Sequence, residues 1–563
     1  MTDDLTQQQR SRPQEQPGPQ VQPPPQVQPA PQPLTLFRDL TVRRGERVLL
    51  DRGNLEVSAG SVTVLMGPSG VGKSLLAAAV FGQRPRGAAL RVDGRIGAAM
   101  ARGALVLQHG AGLPHLSVRS NVRLVAGEAT AADRRVEDLA LPAAARPATL
   151  SGGQLRRFAT ARALAAGRDL LWLDEPAAGL DAAAALELAR QLRAEAATRH
   201  LTFIISEHRL DFIDAVADRV LLLGRDGALV ELPDARAAVE AMRLGSHEGR
   251  TTATDSTAAD STEDGVIGDG AIGDGTSGSG ATADGGRSGA AGTGAPGEPR
   301  TRSQDRRAPP AAAAWGAAVE VLDAWLPARS LPVALWGLTG AVGRTAGCWW
   351  RTLAALVALS GVRGVPFHAL VSLIFGAIFV LVFELTLPFV DTVAVLERFG
   401  PTIIARVAAP FAAILAAAQG GSAGAAWLAQ LSAQRELESL RGLGVPVARA
   451  VLGPAWLGLA LGVCLAGVVF AGGLTAVFAG WIAAVGGGSA GPLIDGVVTR
   501  FMADAVPRLG LFAVIVATVT VHVGTRPARD ASDVARAITR AIVIGTAGVM
   551  LGELALLVLE RLA

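Results

Sequence analysis

A glycine-rich segment near the start of the chain contains the residue types that bind phosphate. Gly67 to Ser74 reads GPSGVGKS, in the pattern G-x-x-x-x-G-K-S, and Lys73 is the only lysine among the 52 lysines and arginines. Glycines let consecutive backbone N–H groups turn toward phosphate oxygens, and a lysine ammonium is a compact, flexible charge that can reach them. The segment therefore predicts a site for nucleotide phosphates.

The flanking sequence supports this prediction. The apolar run VTVLM precedes the segment, and the helical run KSLLAAAV begins within it. A strand, a loop and a helix N-terminus in this order bring backbone donors and the helix dipole to one point, and the Ser74 hydroxyl can face Mg²⁺. We expect the whole loop to bind the phosphates: Gly67, Pro68, Ser69, Gly70, Val71, Gly72, Lys73 and Ser74.

Two further motifs follow in a fixed order. LSGGQ (Leu150–Gln154) and LLWLDEP (Leu170–Pro176) are separated by a helical run. With the phosphate loop, they make residues 35–230 resemble the ATP-binding cassette (ABC) ATPases. The resemblance implies an α/β P-loop fold that binds ATP and Mg²⁺ and hydrolyses ATP.

The resemblance also assigns catalytic roles. Asp174 would hold Mg²⁺ together with Ser74 and Gln108, and Glu175 would orient and deprotonate the attacking water. Gln108, in ALVLQHG, would also contact that water, and His208, in FIISEHRLDFI, would contact the γ-phosphate. The catalytic set is therefore Glu175, His208 and Gln108.

The signature motif implies a second chain. In the cassette family this motif serves the phosphate loop of the opposite cassette, so one cassette per chain implies a homodimer. Asp181, in AAGLD, would couple the two sites. The signature residues are Ser151, Gly152, Gly153 and Gln154.

The adenine-binding position departs from the common pattern. Many cassettes stack an aromatic side chain on adenine, whereas this chain has no tyrosine and has Arg44 at that position. A guanidinium plane can stack on a base. The alternative is a solvated arginine at a strand end.

The elements around these motifs divide the chain. Residues 34–245 alternate short β-rich runs with alanine-rich helical runs, which is typical of an α/β fold. A Pro/Gln-rich tract at 1–33 predicts a disordered tail, and a Gly/Ala/Ser/Thr/Asp-rich tract at 246–312 predicts a flexible linker. The remainder, 313–563, is strongly apolar.

That remainder predicts an all-α membrane domain. We expect five spans, at Val365–Phe383 and at about 403–430, 450–484, 507–524 and 537–559, preceded by an interfacial helix containing Trp349 and Trp350. Ten arginines flank one side of the spans and five the other, which places the first side, and the ATPase, in the cytoplasm of a multi-pass cell-membrane protein. The formal charge of +3 gives no reason to expect a nucleic-acid partner.

The apolar remainder also resembles a known family. RAITRAIV (Arg536–Val543) and the loop Arg435–Val445 make residues 330–563 similar to the MlaE permeases of lipid transporters that work with mammalian-cell-entry (MCE) proteins. The family docks this loop on the cassette as a helix, and here Leu437, Leu440 and Leu443 form an apolar stripe. The resemblance implies membrane lipid as substrate and an extracytoplasmic MCE-domain partner.

The membrane part departs from that family in its charges. The family has an arginine and a glutamate in span two, whereas Val407–Gln434 contains no charged residue. Glu384 and Glu553 are the candidate polar residues of the spans. We therefore expect a transporter of phospholipid or another hydrophobic lipid, with export of a small hydrophobic metabolite or drug as the alternative. A soluble cassette ATPase is disfavoured by the spans.

Overall fold

The strand, loop and helix predicted around the glycine-rich segment are present in the structure, a computed structural model. It describes residues 33–83, 90–107, 112–251, 330–343, 345–485 and 489–562, with side chains to residue 244 in the third range. Most of the predicted tail 1–33 and linker 246–312 lies outside these residues. We refer to residues 33–251 as the α/β half and to residues 330–562 as the helical half.

The α/β half contains two sheets. An antiparallel sheet has the strand order β2-β1-β4, and a larger sheet has the order β5-β6-β7-β3-β8-β9, parallel except for β9. The described strands are β1 (Pro33–Arg44), β2 (Arg47–Ser58), β3 (Val62–Met66), β4 (Leu90–Ile96), β5 (Gly103–Val106), β6 (Leu170–Asp174), β7 (Thr202–Ser206), β8 (Arg219–Leu223) and β9 (Leu229–Leu232).

The central strands are buried along their whole length. Every residue of β3, β6 and β7 is buried, as expected for parallel strands covered on both faces. The helices of this half are α1 (Lys73–Val80), α2 (Val118–Val125), α3 (Ala129–Asp138), α4 (Gly152–Ala165), α5 (Ala182–Arg199), α6 (Leu210–Val216) and α7 (Ala235–Thr251). This part confirms the predicted α/β fold.

The helical half confirms the prediction of five spans. Five of its described helical segments are long and apolar enough to cross a membrane. Short π-helical segments at Ala417–Gly421, Ala448–Leu452 and Phe501–Ala505 lie within spans two to four. The α-helices are α8 (Ser330–Leu338), α9 (Ala346–Ser360), α10 (Val365–Thr386), α11 (Thr392–Ala416), α12 (Ser422–Ala433), α13 (Glu436–Gly442), α14 (Gly453–Val485), α15 (Gly491–Arg500), α16 (Val506–Gly524) and α17 (Ala531–Leu562).

The segment before the first span is two helices instead of the one predicted. A turn at Gly343, whose φ is +87°, separates α8 from α9. Of the two tryptophans expected at the membrane surface, Trp350 is exposed, but Trp349 is buried and its indole N–H donates to the Gly337 carbonyl at 3.1 Å. Trp349 therefore holds α9 against α8.

The short helix α13 joins the two halves. It lies in the loop between spans two and three, and its apolar residues Leu437, Leu440 and Leu443 are buried in a hydrophobic cluster that also contains side chains of the α/β half. A Cβ on Gly442 would lie 2.4 Å from the Leu105 carbonyl oxygen in β5, so glycine permits this close approach. The predicted apolar stripe is thus the surface that docks on the α/β half.

A buried ion pair crosses this contact. The Arg162 guanidinium in α4 donates to both carboxylate oxygens of Glu436, at 2.5 and 3.3 Å, and the two side chains are 1% and 0% exposed. The Gly112 backbone N–H donates to the same carboxylate at 2.9 Å. Glu436 therefore bonds to two separate segments of the α/β half.

A second polar contact involves α9. His115 Nε2 lies 2.8 Å from the Thr352 hydroxyl, and Arg351 donates to the Ser120 hydroxyl. Burial, with a smaller contribution from Arg146, lowers the pKa of His115 to about 4. Thus the docked histidine is neutral at neutral pH.

Replacing Glu436 by alanine should weaken docking of the two halves. It leaves the Arg162 charge buried without its carboxylate, and breaking a buried pair in this way costs about 3–5 kcal/mol. We expect a lower midpoint temperature of thermal unfolding for the purified full-length protein. Glu438→Ala, in the same helix but outside the pair, is the matched control. Equal midpoints for the two variants would contradict this role of the pair.

Docking should also weaken in acid. When undocked, His115 takes up a proton near pH 6.5, whereas the docked residue does so only near pH 4. The undocked state binds more protons between these values, so the stability of docking is complete above about pH 6.5 and decreases as the pH falls toward 4. We expect His115→Gln, which does not titrate, to lose this part of the pH dependence of the unfolding midpoint. Identical pH profiles for the variant and the wild type would show that protonation of His115 does not weaken docking.

Candidate nucleotide-binding site

The glycine-rich loop has the backbone that close approach to phosphates requires. Gly70 and Gly72 have φ values of +73° and +119°, in the region that favours glycine. A Cβ on Gly72 would lie 2.9 Å from the Leu49 side chain, so a larger residue would also clash. The loop follows β3 and opens directly into α1.

Lys73 is the buried cation of this loop. Its ammonium donates to the Gly67 carbonyl at 2.8 Å, and the side chain is 8% exposed. Burial lowers its pKa, while nearby Glu175, Asp174 and Glu207 oppose that shift. The Lys73 ammonium therefore lies near three carboxylates, and the oxygens of a bound phosphate could replace the Gly67 carbonyl as its partner.

Asp174 and Ser74 supply oxygen atoms suited to Mg²⁺. Asp174 ends β6 and is buried, and its Oδ1 has no hydrogen-bond partner within the described residues. Burial raises the pKa of Asp174, and its hydrogen bond with the Ser74 side chain opposes that rise. A carboxylate beside a hydroxyl fits a hard cation that is also held by phosphates and water.

Glu175 adopts a strained backbone conformation next to this pair. Its φ is +48°, which is rare for a residue other than glycine, and its N–H donates to the Ser206 carbonyl at 2.8 Å. Strained residues cluster at functional sites because the surrounding structure must hold them in place. The strained backbone of Glu175 is consistent with its predicted role as the catalytic base, which requires a carboxylate held in one position.

His208 lies beside a buried acid that the sequence interpretation missed. His208 follows β7, and its side chain is 66% exposed. The preceding Glu207 is 1% exposed and accepts the backbone N–H groups of Ala177 at 3.1 Å and of His208 at 2.9 Å. Glu207 therefore ties the segment after Glu175 to the segment bearing His208. The acid next to histidine in SEH was the available signal.

An arginine close to the predicted adenine-stacking residue Arg44 contacts the phosphate loop. Arg44 is exposed at the end of β1, whereas Arg47 at the start of β2 donates to the Gly70 carbonyl at 3.1 Å. This contact joins residues far apart in sequence, and no local pattern indicated it. Arg44 remains only a candidate for stacking on adenine.

An arginine of the helical half also reaches this region. Arg435, just before α13, lines a cavity of about 480 Å³ together with Ser74. Its charge is among those that act to lower the pKa of Asp174. Gln108, predicted for the same region, lies outside the described residues.

The signature segment is organised as a helix start. Ser151 caps α4 in a reciprocal capping box with Gln154, whose N–H donates to the Ser151 hydroxyl at 3.3 Å. Ser151 and Gly152 are exposed, and among the described residues no hydrogen bond or ion pair joins this segment to the glycine-rich loop of the same chain. Asp181, also exposed, caps α5 by accepting the Ala184 N–H at 2.7 Å.

The two glutamates predicted in the spans differ in their surroundings. Glu553 forms an ion pair with Arg508, which also pairs with Glu560, and Glu560 reaches Arg406 at 3.3 Å. The charges lie on spans two, four and five, so sequence alone could not bring them together. Glu384, at the end of α10, has no ion pair within the part of the chain that the structure describes.

Each half of the chain matches the sequence model of a known protein family. The sequence model of the ABC transporter family matches residues 50–178, and that of the permease MlaE matches residues 353–559. The fold and the site therefore define an ATP-binding cassette joined to a membrane permease. The chain belongs to the ABC transporter family, with an ATPase that binds ATP and an MlaE permease in one polypeptide, and it is a multi-pass membrane protein.

Individual relatives match the α/β half. The chain is 36% identical over 205 residues to the aliphatic sulfonates import ATP-binding protein SsuB 2 of Burkholderia cenocepacia (strain HI2424), covering 34% of this chain and 76% of that protein. It is 36% identical over 198 residues to the zinc import ATP-binding protein ZnuC 1 of Hahella chejuensis (strain KCTC 2396), covering 34% and 75%. Among solved structures, a nucleotide-free ATP-binding cassette from an ABC transporter matches with 20% identity and a TM-score of 0.32, over 38% of this chain and 96% of that one.

Exchanging Lys73 for arginine should greatly reduce ATP hydrolysis. The charge is preserved, but the planar guanidinium is bulkier and bonds in fixed directions in a buried loop. We expect a roughly 100-fold lower kcat, the scale for losing one positioned charge-stabilising donor. Arg91→Lys, on exposed β4, is the control for conservative exchange. Wild-type turnover in the Lys73→Arg variant would show that a guanidinium serves equally well.

Proposed function

We propose that this protein is a homodimeric transporter of the cell membrane that uses ATP hydrolysis to move phospholipid or another hydrophobic lipid. The observation that carries the proposal is the match of residues 353–559 to the permease MlaE in the same chain as an ABC ATPase. The permease match favours a lipid over the substrates named for the two ATP-binding relatives, because each of those relatives matches only 34% of this chain.

The dimer is supported by the position of the signature segment. Its exposed helix start, Ser151 and Gly152, forms no hydrogen bond or ion pair with the glycine-rich loop of its own chain among the described residues. A helix N-terminus carries free N–H groups and a partial positive charge that suit a phosphate. In a head-to-tail pair, each chain would offer this end to the ATP on Lys73 of the other. Asp181 would lie between the two sites.

The chemistry at each site would divide among few residues. The loop N–H groups and Lys73 would bind the phosphates, and Ser74, Asp174 and Gln108 would hold Mg²⁺, which neutralises charge that develops on the phosphate oxygens. Glu175 would orient water and accept its proton, and His208 would contact the γ-phosphate. Translocation would follow from closing and reopening of the dimer.

The cytoplasmic position of the ATPase is supported by two observations. Arg351 and the loop with Arg435 and Arg441 belong to the arginine-rich side of the spans, and the structure joins this same side to the α/β half through Arg351 and Glu436. Arginine-rich loops face the cytoplasm. An MCE-domain protein on the opposite side would be the partner implied by the MlaE permease.

A Glu175→Gln variant of the full-length protein tests the proposal. It should bind ATP and hydrolyse it at least about 100-fold more slowly than wild type, because the proton acceptor is lost. Lipid that co-purifies with the ATP-bound variant is identified by mass spectrometry. Glu187→Gln, an exposed carboxylate of α5, is the matched control.

Each readout has an outcome that contradicts it. Undiminished hydrolysis in Glu175→Gln would show that Glu175 is not the base. Enrichment of a small hydrophobic metabolite in place of lipid would replace lipid transport by the alternative of metabolite export. Capture of an MCE-domain protein by the wild-type membrane complex would support the proposed partnership. Its consistent absence from the captured proteins would contradict that partnership.

A further inference from the structure

A cavity of about 630 Å³ lies where the two halves meet, away from the nucleotide loop. Its wall comes from the end of α2, the turn after α4, the turn between α8 and α9, and the turn that follows α13. It is therefore built from both halves. Its volume lies within the range of small-molecule sites.

The cavity is positively charged. Arg168 of the α/β half and Arg449 of the helical half both line it, and its lining contains no carboxylate. Within the described residues neither arginine forms an ion pair, and Arg449 Nε is buried with no hydrogen-bond partner. Two arginines that share a cavity without a counter-ion predict an anionic ligand.

Apolar side chains flank this charge. The Arg449 guanidinium stacks on Trp336, 4.6 Å from the ring centre, and Trp336 is 50% exposed. Val342, which lines the cavity, and Val333 of α8 are also exposed. A basic pocket bordered by exposed apolar residues fits an amphiphile whose anionic head enters the pocket and whose chains remain outside.

We propose that this cavity binds the phosphate headgroup of an anionic phospholipid from the cytoplasmic leaflet. Arg168 and Arg449 hold the phosphate oxygens, and the acyl chains lie along Trp336 and Val342. Basic pockets beside membrane spans on this face suit anionic lipid heads. The assignment of the leaflet rests on the proposed function, because that proposal places the α/β half in the cytoplasm.

Such a lipid would join the two halves. Each arginine comes from a different half, and without an anion the two like charges repel across the cavity. A phosphate between them replaces repulsion by two charge-assisted hydrogen-bonded contacts. Anionic lipid would therefore stabilise docking at a point separate from the Arg162–Glu436 pair.

Native mass spectrometry of the full-length protein in detergent tests the site. Phosphatidylglycerol, phosphatidylcholine and inorganic phosphate are added separately as probes. We expect wild type to retain phosphatidylglycerol in preference to phosphatidylcholine. The double variant Arg168→Gln/Arg449→Gln should retain it at least about tenfold less, because both charge-assisted contacts to the phosphate are removed. Arg363→Gln, an exposed arginine on the same membrane side, should behave as wild type.

The controls separate the possible explanations. Arg168→Lys/Arg449→Lys, which keeps both charges, should restore most retention. Equal retention by the Gln double variant and wild type would overturn the site, and binding of inorganic phosphate that excludes phosphatidylglycerol would reassign it to a free anion. ATP hydrolysis by the same wild-type sample tests the proposed function independently of lipid retention.

A measurement on wild type alone covers the case in which the double variant does not fold. Hydrogen exchange of the backbone around Arg168 and in Leu443–Arg449 should slow when phosphatidylglycerol is added and should not respond to phosphatidylcholine. Unchanged exchange with both lipids would overturn the proposal.

Discussion

The buried ion pair between Arg162 and Glu436 is the interaction that fixes how the two halves dock. Removing two charges from water carries a large desolvation cost, so such a pair is a poor source of net stability. Its geometry is nevertheless complete, because both carboxylate oxygens accept from Arg162 and one also accepts from the Gly112 N–H. A displaced α13 would leave a buried charge unpaired on each side. The pair therefore specifies one docked position, while the leucines beside it supply the apolar contact.

Helix α4 connects this pair to the nucleotide chemistry. Ser151 caps its start and Arg162 lies eleven residues further on, about 16 Å at the rise of an α-helix. In the proposed dimer, the first turn of α4 faces the ATP of the opposite chain while its last turn holds the permease. A displacement of the signature segment would then move Glu436 without any new contact having to form. Glu436 also accepts the N–H of Gly112, which lies four residues after Gln108 in the sequence.

The parts that sequence could predict are those whose chemistry is local. The glycine-rich loop, the acids at the end of β6 and the leucine stripe of α13 are each specified by a few consecutive residues, since strand, turn and helix periodicities act over that range. The missed contacts join distant residues: Arg47 with the loop, Arg162 with Glu436, and Arg508 with Glu553 and Glu560. Their residue types are ordinary, and only the fold shows that they meet. The prediction of a single helix before span one was wrong: the chain turns at Gly343, and Trp349 of α9 bonds back to Gly337 of α8, twelve residues earlier.

The helices of the helical half approach one another closely at small residues. Apolar surface has no hydrophobic drive to associate within lipid, so helices must gain contact by approaching closely through small residues. Span two presents such a face, with buried alanines from Ala405 to Ala417, and its π-helical segment brings Gly420 against Ser360 of α9. A Cβ on Gly420 would lie 2.7 Å from the Ser360 carbonyl oxygen. Span two ends with α12 at Ala433, and α13 follows after a two-residue turn in which Arg435 has a φ of +54°, so a force applied at Glu436 reaches span two through this short turn. Val407 to Gln434 contains no charged residue that could pair with a neighbouring helix, whereas Arg406, just before this stretch, pairs with Glu560 of span five and restrains that part of span two.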